Sequence, residues 1–527
     1  MNEDSLGGGD PYDVFVIGGG VNGCGIARDA VGRGLSVALA EMNDLASATS
    51  SSSTKLFHGG LRYLEYFEFR LVREALIERE RLLSAMPHIS WPLRFVLPYN
   101  RDMRFEATTP LSRLLALCLP WVKGHRPAWL IRCGLFLYDH LGGRAFLPAT
   151  KVLDLRQDES GKALQDRFIK AFEYSDCWIE DSRLVILNAR DARQRGADIM
   201  PYTKVVRAER RDGLWHIETR ACQSDVITRY RARCLINAAG PWVEDILTNA
   251  TKCKSDDAVR LVRGSHIVTR KLYDHDKCYV LQGTDGRIIF VIPYERDFTL
   301  IGTTDIDHPD LSTEVCCSPE EQEYLLAFAS QYFARRLTDD DVVATFSGVR
   351  PLYDDGASQA SAATRDYVLR LDKQGNAPLL NVFGGKITTY RKLAEAAMET
   401  IRPYFSKMSD HWTAGVALPG GDFAIDGFDQ LVDEVQAECS LLSTDVVRRL
   451  VRAYGTDVRN ILAPVESQGD LGVDFGAGIY GVELDWAIEN EWVTSAEDFL
   501  WRRTRMGLRL TPDQISAVDA YIRQKRR

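Results

Sequence analysis

Three glycines near the start of the chain have the spacing of a phosphate-binding turn. Gly18, Gly20 and Gly23 form the pattern G-x-G-x-x-G directly after the apolar run VFVI. In such a turn the first glycine permits a tight bend, the second lets the backbone approach a diphosphate, and the third allows close packing of helix on strand. N–H groups at the start of the following helix then face the phosphates. The pattern predicts a dinucleotide site.

The residues around this turn have the order of a βαβ unit. VFVI predicts a buried strand, the residues up to about Ala30 predict a helix, and residues 35–40 predict a second strand. Glu41 follows that strand, where a carboxylate would bind a ribose hydroxyl. A glycine turn alone is a weak signal, but the complete unit is typical of dinucleotide binding. It does not distinguish FAD from NAD.

A hydroxyl-rich stretch and a second glycine pair follow this unit. Residues 43–55 (NDLASATSSSSTK) come just after the ribose carboxylate, which favours a loop that lines the nucleotide over a flexible linker. The glycines of HGGLRY at 58–63 indicate backbone in contact with a flat ligand, with Arg62 and Tyr63 projecting into a pocket. The cofactor candidates in the two stretches are Ser50, Ser51, Thr54, Gly59, Gly60 and Leu61.

Apolar runs further along the chain indicate a second sheet. Residues 260–269, 287–293 and 298–304 alternate and are bounded by turns, which predicts an antiparallel substrate-binding sheet. Residues 345–351 (TFSGVRP) and 379–389 (LLNVFGGKITT) are instead predicted to return to the nucleotide domain.

Two more strands are predicted to reach the nucleotide. Residues 233–240 (RCLINAAG) predict a buried strand that ends in small residues, so Gly240 would approach the cofactor, as would Val205 from another strand. After about residue 402 the patterns become helical. Thr494 and Glu497 are predicted to form the capping box of one of these helices.

The composition is that of an ordinary globular protein. The chain has 527 residues, 45% of them hydrophobic, which suits two or three domains with large cores. Its net charge of −9 argues against nucleic-acid binding. The eleven cysteines include no C-x-x-C pair, so buried cytoplasmic thiols are expected, with neither a metal site nor disulfides. No signal peptide or membrane-spanning run is found, and a soluble or peripheral protein is expected.

Residues 87–144 differ from the rest of the chain because basic and aromatic side chains are interleaved there. The segment has eight Lys or Arg and three Asp or Glu, with Trp91, Trp129 and Phe136 among its aromatics. This mixture suits peripheral contact with anionic lipid. It suits equally a helical cap with a buried apolar face.

Several longer motifs resemble one enzyme family. They are IGGGVNGCGIARDAVGRG, ATSSSSTKLFHGGLRYLE, FEYSDCW, GSHIV, GTTD, SGVRP and GGKITTYRKLA, and they cover nearly the whole chain in order. Together they resemble the FAD-dependent respiratory (aerobic) glycerol-3-phosphate dehydrogenases. One departure is a segment at 100–123 that is longer than in bacterial members.

The resemblance implies the fold and its division. It implies an α/β (α+β) protein with a glutathione-reductase-like, Rossmann-type FAD-binding domain, an interleaved antiparallel substrate sheet and a C-terminal α-helical domain. The FAD-binding part would span residues 1–404, with the substrate or cap portion at about 62–175 and 258–345. The helical domain would span residues 405–527.

The resemblance also implies the reaction and the partners. FAD would oxidise sn-glycerol 3-phosphate to dihydroxyacetone phosphate and pass electrons to ubiquinone. The protein would lie on the cytoplasmic face of the inner membrane, and a homodimer is left open.

Roles within the site follow from the same resemblance. Arginine suits a phosphate dianion because its planar fork stays charged. The substrate-binding candidates are Arg62, Tyr63, His266, Arg350 and Arg365. His266 is the preferred base and His58 its rival. Lys386 would stabilise developing negative charge, and Gly385, Lys386, Thr388 and Thr389 would contact the flavin.

Other readings of the sequence remain open at this stage. A glycerol-3-phosphate oxidase would use O₂ instead of quinone, and amino-acid or sarcosine oxidases share the fold but bind a carboxylate. A non-catalytic flavin sensor is disfavoured by the complete set of charged candidates. An NAD-dependent dehydrogenase would leave the glycine pair at 384–385 without a role.

Overall fold

The structure is a computed structural model of the chain. It describes residues 10–101, 103–104, 109–112, 117, 125–253, 255, 257–283, 287–354 and 366–527. Arg365 and much of the segment 100–123 lie outside the described residues.

Two large sheets, one two-stranded sheet (Asp474–Gly476 with Ile479–Tyr480) and a set of helices make up the described part. The strands are β1 Tyr12–Ile17, β2 Val37–Ala40, β3 Leu56–Phe57, β4 Ser90–Tyr99, β5 Lys151–Asp154, β6 Lys170–Ile179, β7 Asp198–Met200, β8 Thr203–Arg211, β9 Leu214–Ala221, β10 Ile227–Asn237, β11 Val259–Arg270, β12 Cys278–Gln282, β13 Ile288–Tyr294, β14 Phe298–Gly302, β15 Ile306–Asp307, β16 Val342–Tyr353, β17 Tyr367–Asp372, β18 Leu379–Gly384, β19 Asp474–Gly476 and β20 Ile479–Tyr480. The longer helices are α1 Val21–Gly32, α2 Phe69–Ala85, α3 Ala128–Leu141, α4 Asp181–Gln194, α5 Pro319–Ser330, α6 Tyr390–Ile401, α7 Phe428–Glu438, α8 Thr444–Tyr454, α9 Val458–Leu462, α10 Gly481–Asn490 and α11 Pro512–Lys525.

The nucleotide sheet is built around β1. Its strand order is β17-β18-β10-β1-β2-β7, and every pair from β18 to β7 is parallel. Val14 and Val16 pack against helices α1, α4 and α6, whereas Phe15 faces a second apolar cluster that includes Trp215 of β9. Both faces of β1 are therefore buried, which explains its continuous apolar run. The predicted α/β nucleotide fold is confirmed.

The substrate sheet has ten strands. Its order is β15-β11-β14-β13-β12-β4-β6-β3, with β16 paired to β11 and β5 paired to β6. The predicted strands β11, β14 and β13 are antiparallel neighbours. One pair departs from the expected pattern, because β12 and β4 are parallel.

The strand that contains TFSGVRP belongs to the substrate sheet, so its assignment to the nucleotide domain is wrong. β16 pairs antiparallel with β11, and the pairs include Arg350 with Val262 and Phe346 with His266. An alternating strand fits either sheet, and only its partner decides between them. The other assigned run does return to the nucleotide sheet, where β18 pairs with β10.

Helices α7 to α11 form a separate body of apolar contacts near the C-terminus. One cluster includes Val432, Val447 and Leu450, and another includes Leu484, Phe499 and Ile522. The predicted domain boundary near residue 405 stays a prediction.

The predicted capping box at Thr494 and Glu497 is displaced by one residue. The backbone N–H of Ser495 donates to Asp498 at 3.0 Å, and the Asp498 N–H donates to the Ser495 hydroxyl at 3.2 Å. A capping box needs two residues that are three positions apart. Ser495 and Asp498 have this spacing, as do Thr494 and Glu497, so spacing alone does not distinguish the two pairs.

Among the helices that the structure describes, none is both long and apolar enough to span a bilayer.

The C-terminal helices meet the nucleotide domain through buried charges. Arg183 of α4 donates to Glu491 at 2.5 Å, and both side chains are almost fully buried. Arg190 lies 3.6 Å from the same carboxylate. Removing one partner of such a buried pair leaves an uncompensated charge.

We therefore expect Glu491→Gln to lower the free energy of unfolding by about 3–5 kcal/mol. Asp429→Asn is the matched control, because its pair with Arg448 is largely exposed and should contribute less than about 1 kcal/mol. Urea denaturation of the purified proteins measures both changes. Equal losses in the two variants would show that the buried pair does not stabilise this junction.

Candidate functional site

One cavity of about 670 Å³ is lined by residues of both sheets. The nucleotide sheet contributes the turn after β1 and the end of β10, and the substrate sheet contributes parts of β11, β13 and β16. Residues 46–50 and 52–54 and the turn after β18 complete the wall. This size is typical of a ligand site.

The glycine turn lies at one wall of the cavity and leaves no room for side chains. Gly18 has φ +110°, and a Cβ there would lie 2.5 Å from the carbonyl oxygen of Ala238 at the end of β10. A Cβ on Gly23 would lie 1.9 Å from the carbonyl oxygen of Gly18. Gly18 and Gly23 therefore let β1, α1 and β10 meet at the cavity.

Glu41 closes the same wall at the end of β2. Its carboxylate accepts the Gly19 N–H at 2.7 Å and the Asn43 N–H at 2.9 Å. Burial raises the pKa of this carboxyl, although the backbone donors oppose the change. Two backbone bonds leave acceptor capacity for a ribose hydroxyl.

The hydroxyl-rich stretch forms a loop along the cavity, here called the serine loop (residues 42–55). The Ser50 hydroxyl accepts the first N–H of α1, from Val21, at 3.0 Å. Ser53 donates through both its N–H and its hydroxyl to Asp181, at 3.1 and 2.8 Å. Lys55 is fully buried beside Asp181 at 2.9 Å. Burial and the nearby Arg505 lower the pKa of Lys55 to about 8, against the attraction of Asp181.

Two turns bring His58, Tyr63 and Lys386 to the cavity. The Lys386 Nζ lies 3.6 Å from the centre of the Tyr63 ring, a cation–π contact. A Cβ on Gly60 would lie 2.2 Å from that ring, so only glycine fits before it. The Thr388 hydroxyl accepts the His58 N–H at 3.3 Å and thereby joins the two turns.

Arg350 reaches the cavity from β16. Its guanidinium pairs with Asp305 and donates to the Thr303 hydroxyl at 3.1 Å. Gly264 provides the necessary space, because a Cβ there would lie 2.4 Å from Arg350 Nη2 and 2.7 Å from Thr303 Oγ1. This cluster places a held cation at the cavity wall.

His266 lies behind the wall and not in it. Its Nε2 is 3.0 Å from the Thr54 hydroxyl, and its ring stacks on Phe346 at 4.8 Å. The side chain is 1% exposed, and burial followed by the Arg350 charge holds its pKa well below 6.5. Thr54 and not His266 presents its surface to the cavity.

The site fits the flavin dinucleotide that the sequence implies. The glycine turn exposes backbone along the wall, and the Asn22 Oδ1 is buried without a hydrogen-bond partner among the described residues. The Asn22 Nδ2 donates to the Gly384 carbonyl at 3.2 Å and so links the turns after β1 and β18. A dinucleotide donor group would satisfy the orphaned oxygen.

The predicted site residues divide into two groups. Those that line the cavity are Gly18, Gly20, Glu41, Ser50, Thr54, Tyr63, Val205, Gly240, Arg350, Gly385 and Lys386. Those behind or beside the lining are Gly23, Ser51, Gly59, Gly60, Leu61, Arg62, His266, Thr388 and Thr389. Arg365 lies outside the described residues.

Sequence reasoning did not identify several lining residues, which are Asn22, Trp242, Phe290 and Thr303. Ser52 and Ser53 also line the cavity and lie within the loop predicted to do so, although they were not singled out. Asn22 lies inside the glycine motif and Thr303 inside GTTD, so the motifs indicated these segments without indicating the individual residues. Phe290 carries no local signal, because it is one apolar residue in the strand RIIFVIP.

Comparison with known families supports this interpretation of the site. The family described as FAD dependent oxidoreductase matches residues 13–391. The family described as the C-terminal domain of alpha-glycerophosphate oxidase matches residues 411–523. The two matches follow one another along the chain.

Individual relatives cover nearly the whole chain. The D-erythritol 1-phosphate dehydrogenase of Brucella abortus is 47% identical, over 97% of each chain. The glycerol-3-phosphate dehydrogenase of Pseudomonas aeruginosa is 46% identical, over 98% of this chain and 95% of its own. The crystal structure of the glycerol-3-phosphate dehydrogenase of Bacillus halodurans with FAD has a TM-score of 0.71 and 25% identity, over 98% of this chain and 94% of its own. The chain therefore belongs to the FAD-dependent oxidoreductases, in the family of the glycerol-3-phosphate dehydrogenases, and FAD is its cofactor.

Proposed function

We propose that the enzyme oxidises sn-glycerol 3-phosphate to dihydroxyacetone phosphate. The observation that carries this proposal is that one cavity is lined both by the glycine turn and by His58, Arg350 and Lys386. Oxidation of a phosphorylated alcohol requires such a set. One cation binds the phosphate, a second stabilises the negative charge that develops on the substrate oxygen, and a base accepts the hydroxyl proton. The names of the relatives agree with this substrate.

Arg350 is our first choice for the phosphate. Its contacts with Asp305 and Thr303 fix the guanidinium and leave part of it exposed to the cavity. A guanidinium binds a phosphate through charge-assisted hydrogen bonds. Arg62 and Arg365 remain further candidates from the sequence.

The reaction breaks the C2–H and O–H bonds of the alcohol. FAD supplies the acceptor for the hydride and its electron pair, and the C2–O bond becomes a carbonyl. The hydroxyl proton must pass to a base of the chain. We propose His58 for this role because it lines the cavity, and we assign to buried His266 the positioning of the Thr54 hydroxyl.

Lys386 would stabilise the negative charge that develops as the proton leaves. Its Nζ is held over the Tyr63 ring, so it is already in position before the substrate binds. A preorganised cation of this kind lowers the energy of a transition state more than that of the ground state. The remaining lining residues predicted from the sequence, from Gly18 to Thr54 and at Val205 and Gly240, are proposed to hold FAD.

A second candidate substrate is D-erythritol 1-phosphate. The relative with that printed activity is 47% identical, and the one named for glycerol 3-phosphate is 46% identical. Both substrates present a phosphate and a secondary alcohol, so the same residues serve either. The ratio of kcat/KM for the two compounds identifies the preferred one.

We further propose that reduced enzyme passes its electrons to quinone at the inner-membrane surface. The support is the exposed face of α3, where Trp129 and Phe136 are 55% and 63% exposed beside Arg132. In the same helix only Leu135 and Tyr138 are buried. Apolar and basic side chains on one helix surface suit anionic lipid. An oxidase would instead be reoxidised by air, with peroxide as the product.

Arg350→Met should lower kcat/KM for glycerol 3-phosphate by roughly 10- to 100-fold, which corresponds to about 1.5–3 kcal/mol for a charged hydrogen bond. FAD content should not change. Arg260→Met is the control, because Arg260 lies on the adjacent strand β11 and pairs with the exposed Asp307. Steady-state kinetics with a dye acceptor measure the effect. Wild-type kinetics in Arg350→Met would remove this residue from the substrate site.

His58→Gln should reduce the rate of anaerobic flavin reduction by about 10²- to 10⁴-fold, as expected for the loss of a general base. His266→Gln should reduce it much less, because glutamine can still bond the Thr54 hydroxyl. Rapid mixing with substrate gives both rates. The opposite ranking of the two variants would make His266 the base.

A variant with Trp129→Asp and Phe136→Asp should no longer sediment with vesicles of anionic lipid, because two charges would enter the apolar contact. Val226→Asp, also at an exposed apolar residue, is the control and should sediment normally. Unchanged binding of the double variant would exclude α3 from the membrane contact.

A further inference from the structure

The start of the serine loop is held by arginines from the C-terminal region. The Arg502 Nε lies 2.5 Å from Asp44, and both Nη atoms of Arg503 donate to the two oxygens of Asp44 at 2.8 Å. Asp44 and Arg503 are 2% and 1% exposed. A planar guanidinium that binds both carboxylate oxygens fixes the orientation of the aspartate as well as its position.

The end of the same loop is held in a similar way. Arg505 donates to Asp181 at 2.6 Å and to the Ser182 hydroxyl at 3.0 Å. The other oxygen of Asp181 accepts both donors of Ser53, and Lys55 binds this carboxylate and also the Ser51 carbonyl at 3.0 Å. Arg505 therefore contacts the serine loop indirectly, through the Asp181 carboxylate that binds Ser53.

The backbone shows that these contacts hold an unfavourable conformation. Ala46 and Lys55, near the two ends of the loop, have φ of +62° and +61°, and Arg505 itself has φ +59°. Left-handed backbone is disfavoured for residues with a side chain and persists only where surrounding contacts impose it. Free of its contacts, the loop would relax to other conformations.

Residues 46–50 of the loop are attached to the cofactor wall and to the substrate sheet. The Ala46 N–H donates to the Gly19 carbonyl at 3.1 Å, and the Thr49 hydroxyl donates to the Val349 carbonyl at 2.6 Å. Ser50 caps the first N–H of α1. Movement at either end would therefore be transmitted to the glycine turn and to the substrate sheet.

We propose that Arg502, Arg503 and Arg505 are positioning residues for FAD, and that the C-terminal helical region completes the cofactor site by holding both ends of the serine loop. These arginines are not among the residues that line the cavity, and they act through Asp44 and Asp181. Because unpaired charges are costly to bury, each aspartate favours the single arrangement in which its partners are satisfied. The proposal rests on FAD as the cofactor and is independent of the substrate.

The test is the rate at which the holoenzyme loses FAD. Dilution into buffer releases the flavin, and its fluorescence rises as it leaves the protein. Arg505→Met and Asp44→Asn, one at each end of the loop, should each release FAD at least tenfold faster than the wild type. The FAD release rate of Arg505→Lys should lie between those of Arg505→Met and the wild type, because lysine keeps the charge but not the planar guanidinium that reaches Asp181 and Ser182.

Arg523→Met is the control within the same region. Arg523 is 73% exposed and forms an ion pair with Asp519, which is not one of the aspartates that hold the serine loop. It should release FAD at the wild-type rate. If Arg505→Met gives no soluble holoenzyme, Arg505→Lys and Asp44→Asn decide the question by the same measurement.

Hydrogen exchange separates loop positioning from general loss of stability. In Arg505→Lys and Asp44→Asn, the amides of residues 46–54 should exchange faster, whereas those of β1 and of α7 should exchange as in the wild type. Wild-type FAD release in both variants would overturn the proposal. So would equal acceleration of exchange throughout the chain, which would indicate a merely structural role.

Discussion

The close approach of backbone at the end of β1 is the constraint on which the structure depends. Gly18 packs against Ala238, which directly follows the neighbouring strand β10, and Gly23 packs against Gly18, at distances that exclude any side chain. Here β2 lies on one side of β1 and β10 on the other, the place where ligands bind in open parallel sheets. The cavity wall predicted to bind the cofactor forms because the ends of β1 and β10 and the start of α1 can approach to backbone contact.

The substrate sheet adds chemistry to that wall. It brings Arg350 on β16 and Phe290 on β13 to a cavity that is also lined by the turns of the nucleotide sheet and by the serine loop. Small residues again permit the contact, since Gly264 leaves the space that the Arg350 guanidinium occupies. The proposed reaction therefore depends on two sheets that meet through glycines, with the serine loop between them.

Much of this could be predicted from the sequence, because local chemistry determines it. The glycine spacing, the carboxylate Glu41 and the continuous apolar runs each have a local physical cause, and these predictions agree with the geometry. The placement of β16 could not be predicted, since an alternating strand suits either sheet. For the same reason the sequence could not show that His266 lies behind the cavity lining, where its ring contacts the Thr54 hydroxyl. The buried contacts of Asp44 with Arg502 and Arg503 join residues more than 450 positions apart, and no local pattern marks them.

The most direct test of this account is the visible absorbance of the flavin after anaerobic mixing of the FAD-loaded enzyme with glycerol 3-phosphate. The account predicts rapid bleaching with this compound, and none with glycerol, which lacks the phosphate that Arg350 is proposed to hold. Equal bleaching by glycerol would contradict phosphate recognition. No bleaching by either glycerol 3-phosphate or D-erythritol 1-phosphate, with FAD present, would contradict the proposed reaction.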